Sequence, residues 1–145
     1  MEKKILIING PNLNLLKYRD PLIYSHNEQT FQEYFNKLKK QYNKLEYYQS
    51  NHEGDLIDKI QEVEFDSLNY YGIVINAGGY THTSITIRDA IEISHIPIIE
   101  VHISNIVNRE NFRKESLLSP VCSGSIIGLG LDGYNLGIQA ILNKY

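Results

Sequence analysis

Ile96-Pro97-Ile98-Ile99-Glu100-Val101-His102-Ile103-Ser104-Asn105 is an apolar run that stops on a cluster of polar groups. Residues 98–101 alternate too little for a half-solvated strand and are too β-branched for a helix, which predicts a strand covered on both faces of a parallel sheet. His102 and Ser104 then stand at its carboxyl end, where open α/β sheets bind ligands because backbone groups and loops converge there. Glu100, two residues earlier, points to the same side of the strand as His102 and is placed to hold its imidazole in one tautomer, through a water or a main-chain group. A lone histidine is more often a structural donor than a catalyst. The polar neighbours make His102 the first candidate for chemistry.

Outward from this strand, strand-like and helix-like segments alternate along the chain. Ile5-Leu6-Ile7-Ile8, Leu45 to Gln49, Gly72-Ile73-Val74-Ile75-Asn76 and Ser125-Ile126-Ile127 read as further strands. Phe31, Tyr34, Phe35, Leu38 and Tyr42 recur at spacings of three and four, as on an amphipathic helix over residues 30–44. Ser50 with Glu53 forms a capping-box signature before a helix with Leu56, Ile57, Ile60 and Val63 inward. Thr83 or Ser84 caps a helix reaching about Ser94, with Ile87, Ala90 and Ile91 inward, and a last helix fills residues 133–143. No repeat or linker interrupts the pattern. It predicts an α/β fold: a flavodoxin-like, doubly wound, five-stranded parallel sheet of order 2-1-3-4-5.

The chain has 145 residues, which fits one domain over residues 1–145 with a sizeable core. A net charge of −3, with no basic block beyond the helix-surface run Lys37-Leu38-Lys39-Lys40, argues against nucleic acid or an anionic membrane as partner. Cys122 is the single cysteine, so an internal disulfide and a cysteine-based zinc site are excluded and a reducing cytoplasm is expected. Ile5 to Ile8 is too short for a signal-peptide core, and no run has the length to span a bilayer.

Two connections are longer than the fold needs. Residues 10–29 hold Leu13, Leu15, Leu16, Ile23 and two tyrosines, too apolar for a solvated tail, and point to a lid or binding loop. Residues 105–120 carry Arg109 and Arg113 directly after the His102 strand. Four residues apart, the two arginines share one side of a helical turn, and together they point to an anionic ligand; solvated surface charges are the plainer alternative.

The strand ends Asn9-Gly10-Pro11-Asn12, Asn76-Ala77-Gly78-Gly79-Tyr80-Thr81-His82 and His102-Ile103-Ser104-Asn105 converge in this topology. Amides, histidines, arginines and lid tyrosines with hardly a carboxylate beyond Glu100 suit a small polyhydroxy acid. A flavin site is disfavoured because Pro11 removes a backbone N–H that a phosphate loop would donate. A phosphoacceptor domain is disfavoured because Asn9 and Asn76 stand where it needs acids. His52, His82 and His102 lack ligand spacing, so no metal is expected. A Schiff base needs a desolvated lysine, and every lysine falls at a strand start, on a helix surface or in a loop.

Five segments together resemble the type II 3-dehydroquinate dehydratases of the shikimate pathway. They are Asn9-Gly10-Pro11-Asn12-Leu13-Asn14, Gln49-Ser50-Asn51-His52-Glu53-Gly54, the run from Asn76 to Ser84, Glu100 to Asn105, and Arg109 to Arg113. The resemblance implies a lyase that uses neither metal nor cofactor and removes water from 3-dehydroquinate through an enolate. It implies that Tyr24 takes the C2 proton with Arg19 favouring its ionised form, that Asn12 and a water stabilise the enolate, and that His102, oriented by Glu100, protonates the departing C1 hydroxyl. It assigns Asn76, His82, Ile103, Ser104 and Arg113 to substrate binding, with Arg109 as a second arginine. It also implies a dodecamer of trimers in which Asp89 reaches a neighbouring subunit's site; a solvated helix acid is the plain alternative. The lid departs from the family pattern, with Lys17 and Ser25 standing in place of glycines, and Val107-Asn108 replaces His-Ala.

Overall fold

Five strands form one parallel sheet in the computed structural model, which describes residues 2–24 and 29–145. They are β1 (Lys4–Asn9), β2 (Leu45–Gln49), β3 (Tyr70–Asn76), β4 (Ile98–His102) and β5 (Gly124–Ile127), in the order β2-β1-β3-β4-β5. The helices are α1 (Pro21–Tyr24), α2 (Phe31–Gln41), α3 (Glu53–Phe65), α4 (Ile85–Ile93) and α5 (Asp132–Lys144). The sheet order is the one expected from the sequence.

The strands are apolar without interruption because both faces are covered. Ile5 and Ile7 of β1, Val74 of β3 and Ile99 and Val101 of β4 face a layer built by α2, α5 and the segment after β1. Leu6 and Ile8, Ile73 and Ile75, and Ile98 face the opposite layer, built by α3 and α4. The period of two divides each strand between the two cores.

Helix ends follow local chemistry. The Thr30 hydroxyl accepts from the Glu33 N–H at 3.1 Å, and Ser84 Oγ accepts from the Ile87 N–H at 2.9 Å. Each such cap is worth roughly 1 kcal/mol. Two expectations are corrected. The α2 helix stops at Gln41, because Tyr42 turns extended and donates its hydroxyl to Asn135 Oδ1 on α5 at 2.6 Å. Ser50 and Glu53 do not form a capping box: His52 holds the cap position, and Ser50 Oγ accepts from the His52 N–H while donating to Asp55 Oδ2 at 2.7 Å.

Both long connections are compact. After β1 come a 3-10 segment, Leu13–Tyr18, and α1; after β4 come the short 3-10 turns Ile106–Asn108, Asn111–Arg113 and Ser119–Val121. No helix among the described residues is long and apolar enough to cross a membrane.

Candidate active site

The carboxyl ends of β1 and β3 lie level, with Asn9 in register with Asn76. The Gly10 N–H donates to the Asn76 carbonyl at 2.7 Å, and a Cβ on Gly10 would lie 2.3 Å from the Ala77 carbonyl oxygen. Only glycine permits that approach. Behind it runs a buried polar chain. Tyr134, fully buried on α5, donates to Asn9 Oδ1 at 2.7 Å and accepts from Asn76 Nδ2 at 2.9 Å, and Asn76 Oδ1 accepts from the Gly78 N–H. These bonds fix the amide of Asn76, whose residue lines the pocket in front.

That pocket is lined by Asn76, Gly78, Gly79 and His82 after β3, by His102, Ile103, Ser104, Ile106, Arg109 and Arg113 from the end of β4 onward, and by Leu13, Arg19 and Tyr24 of the lid. Tyr24 is buried at the last position of α1. Its hydroxyl accepts from Arg19 Nη2 and, at 3.0 Å, from Arg109 Nη1. Both guanidinium groups also lie over its ring, at 4.0 and 5.4 Å from the centroid. Burial lowers the affinity of Arg19 for its proton; Tyr24 opposes that shift, and the like charges of Arg109 and Arg113 add to it.

The two arginines after β4 meet at the pocket by a route other than the helical turn expected from their spacing. Arg109 is extended between two 3-10 turns and Arg113 ends the second. Glu110 joins them, with Oε2 at 3.7 Å from Arg109 Nε and 3.0 Å from Arg113 Nε. Its carboxyl is held below the usual range, chiefly by its own backbone N–H and further by both arginines.

His102, the last residue of β4, is 4% exposed and Glu100 is fully buried. Nε2 lies 3.0 Å from Glu100 Oε2, within ion-pair reach but without the alignment of a hydrogen bond. The contact is direct, where the sequence pointed to a water or main-chain intermediary. Glu100 Oε2 also accepts from Ser116 Oγ at 2.5 Å, and Oε1 accepts from Ser119 Oγ and, at 2.8 Å, from Ser125 Oγ. Burial alone would raise this carboxyl, but His102 and the serine hydroxyls outweigh it and bring the pKa down to about 2.

Of the residues singled out from sequence, Tyr24, Arg19, His102, Asn76, His82, Ile103, Ser104, Arg109 and Arg113 line one pocket, and Glu100 supports it from behind. His82 Nδ1 is within 2.7 Å of the Glu115 carbonyl, which ties its turn to the loop after β4. Asn12 is exposed, adopts φ 69° and donates its backbone N–H to Asn51 Oδ1 at 3.1 Å; it stands beside the pocket and does not line it. Asp89 is exposed on α4 and does not line this pocket. Ser25 lies outside the described residues. Sequence reasoning missed Ser116, Ser119, Ser125 and Glu110, although Ser125 is the register partner of Glu100 on the adjacent strand.

A doubly wound parallel sheet with a phenol, three arginines and a carboxylate-backed imidazole at its carboxyl edge defines an α/β enzyme built for acid–base work on a small anion. The dehydroquinase class II family model matches residues 3–142, and the chain belongs to that family. It is 52% identical over 143 residues to the 3-dehydroquinate dehydratase of Prochlorococcus marinus strain MIT 9515, covering 95% of this chain and 94% of that protein. The corresponding protein of Campylobacter lari is 45% identical over 144 residues, covering 98% and 88%. Among solved structures, the type II dehydroquinase of Butyrivibrio crossotus superposes with a TM-score of 0.89 at 49% identity, covering 97% of this chain and 98% of that one.

Proposed function

We propose that this chain dehydrates 3-dehydroquinate to 3-dehydroshikimate, as a hydro-lyase of the shikimate pathway. The observation that carries the reading is the Tyr24 hydroxyl held by Arg19 and Arg109 in the pocket that also contains His102. Cations this close to a phenol oxygen favour the phenolate, which a proton abstraction at a carbon beside a ketone requires. In this reading Tyr24 takes the C2 proton and the charge passes to the ketone oxygen as an enolate. Asn12, beside the pocket, steadies that charge through a water. His102 gives a proton to the C1 hydroxyl as it leaves, and the ionised Glu100 complements the charge the ring carries. Asn76, His82, Ser104 and the backbone at Ile103 hold the hydroxyls, and Arg113 the carboxylate.

The chain acts as one domain in the cytoplasm, needs neither metal nor cofactor, and assembles as trimers within a dodecamer. In that assembly Asp89 reaches a neighbouring subunit's pocket. Ile85, Asp89 and Ile93 are four residues apart on α4, and the two isoleucines are 63% and 67% exposed, an apolar face suited to a second subunit.

The deciding experiment adds 3-dehydroquinate to purified protein and follows the near-ultraviolet absorbance of the conjugated enone. A rise that survives EDTA and borohydride supports the metal-free enolate route. No rise overturns the enzymatic reading and leaves a ligand-binding module of the same fold. Loss on chelation, or irreversible inactivation by borohydride, overturns the mechanism.

A further inference from the structure

We infer that Ser116, Ser119 and Ser125 are positioning residues that hold Glu100 ionised and aimed at His102, so that the acid of the site is set by three hydroxyls on other segments. The inference rests on the functional reading above and extends it to groups that touch no substrate.

Hydrogen-bond direction carries the argument. Ser116 Oγ accepts from the Leu118 N–H at 3.1 Å and the Ser119 N–H at 3.0 Å, so its lone pairs are engaged and its one proton is left for Glu100 Oε2. A protonated Glu100 would have to donate from one oxygen, and Ser116 is not free to receive on that side. On the other oxygen Ser119 and Ser125 both donate, and their own oxygens lie 3.2 Å apart. Ser125 belongs to the edge strand β5 in register with Glu100, so parallel pairing puts its side chain on the same face of the sheet. Ser116 and Ser119 reach the carboxylate from the loop after Arg113. A buried carboxylate that accepts from three hydroxyls is stabilised as the anion even where burial opposes it.

The titratable groups facing Glu100 are His102, two residues on in the same strand, and Cys122, on the stretch leading into β5. The Cys122 thiol is pushed up to about 12, first by burial and then by the charge of Glu100. It stays neutral over the working range and does not compete with Glu100 in acid.

The test uses the full chain and two readouts. Infrared titration follows the protonated-carboxyl band of Glu100, identified by its loss in Glu100→Gln, and the pH dependence of kcat is recorded beside it. In Ser119→Ala and in the Ser119→Ala/Ser125→Ala double variant, the band should emerge at higher pH than in the wild type, by about one pH unit or more for each donor lost. The acid limb of the kcat profile should move up with it, while KM at neutral pH changes less than threefold. Ser119→Thr keeps a hydroxyl and should restore both. Ser116→Ala also removes the acceptor of two backbone N–H groups, so the loop is best probed through the other two serines. An unshifted Glu100 band, or a uniform loss of kcat with an unmoved acid limb, overturns the inference. If the wild type leaves 3-dehydroquinate unchanged, the functional reading fails separately, and the infrared titration still decides whether the serines hold the anion.

Discussion

Arg109 Nη1 donates to the Tyr24 hydroxyl at 3.0 Å across 85 residues of chain, so the lid and the loop after β4 meet on one oxygen atom. Arg19, inside the lid, reaches the same atom. Tyr24→Phe removes that oxygen and keeps the ring between its two cations. Turnover of 3-dehydroquinate should fall at least about a hundredfold, the usual share of a positioned base, with the thermal midpoint nearly unchanged. Steady-state kinetics beside a melting curve checks this, and substantial remaining activity removes Tyr24 from the mechanism.

Arg19→Ala leaves the Tyr24 hydroxyl with its bond from Arg109 and without the one from Arg19. The rate at neutral pH should drop about tenfold or more, and the basic arm of the profile should move to higher pH, because an anion loses a favourable neighbour. The comparison is kcat against pH for the variant and the wild type. Coincident profiles would mean that Arg19 serves another purpose.

Glu100 links stability to pH. Its pKa falls from 4.5 to about 2 on folding, so the native state binds fewer protons than the unfolded state between those values. The stabilisation is complete above about pH 5 and is lost as pH falls toward 2. A shift of this size corresponds to something on the order of 3 kcal/mol. Glu100→Gln should therefore be less stable at pH 7 and show a flatter decline in acid, as read by urea midpoints across pH; an equally steep decline assigns the acid sensitivity elsewhere.

Tyr134→Phe deletes the hydroxyl between Asn9 and Asn76 and leaves two buried amides short of a partner. Such a loss costs about 1–3 kcal/mol. Because Asn76 lines the pocket, KM should rise together with the fall in stability. Denaturant unfolding and kinetics on one preparation test the pairing of the two effects.

Asp89 and Tyr24 can be separated by mixing subunits. Chains carrying Asp89→Asn keep Tyr24, and chains carrying Tyr24→Phe keep Asp89, so co-expressed oligomers should regain activity above the mean of the parents. No gain places Asp89 outside any shared site, and a monomer mass by light scattering ends the idea directly.

The sheet was legible because parallel strands buried on both sides read as unbroken β-branched runs, and Ile5 to Ile8 and Ile98 to Val101 are such runs. Helix ends were less so. Tyr42 fits the α2 periodicity, but a hydrogen bond to Asn135, 93 residues away, takes it out of the helix. The pocket residues at the ends of β3 and β4 followed from topology. The Ser116–Ser119 pair did not, since nothing local says that a loop hydroxyl faces a carboxylate on another strand. Arg109 and Arg113 were paired by helical spacing and are joined in fact through Glu110.

The bond from Tyr134 to Asn9 has a consequence for synthesis. In synthesis Asn9 precedes its buried partner by 125 residues. Until α5 is made, Asn9 Oδ1 and Asn76 Nδ2 lack the hydroxyl that joins them in the folded chain. The polar link between the ends of β1 and β3 is therefore completed only after α5 has been made, later than either strand.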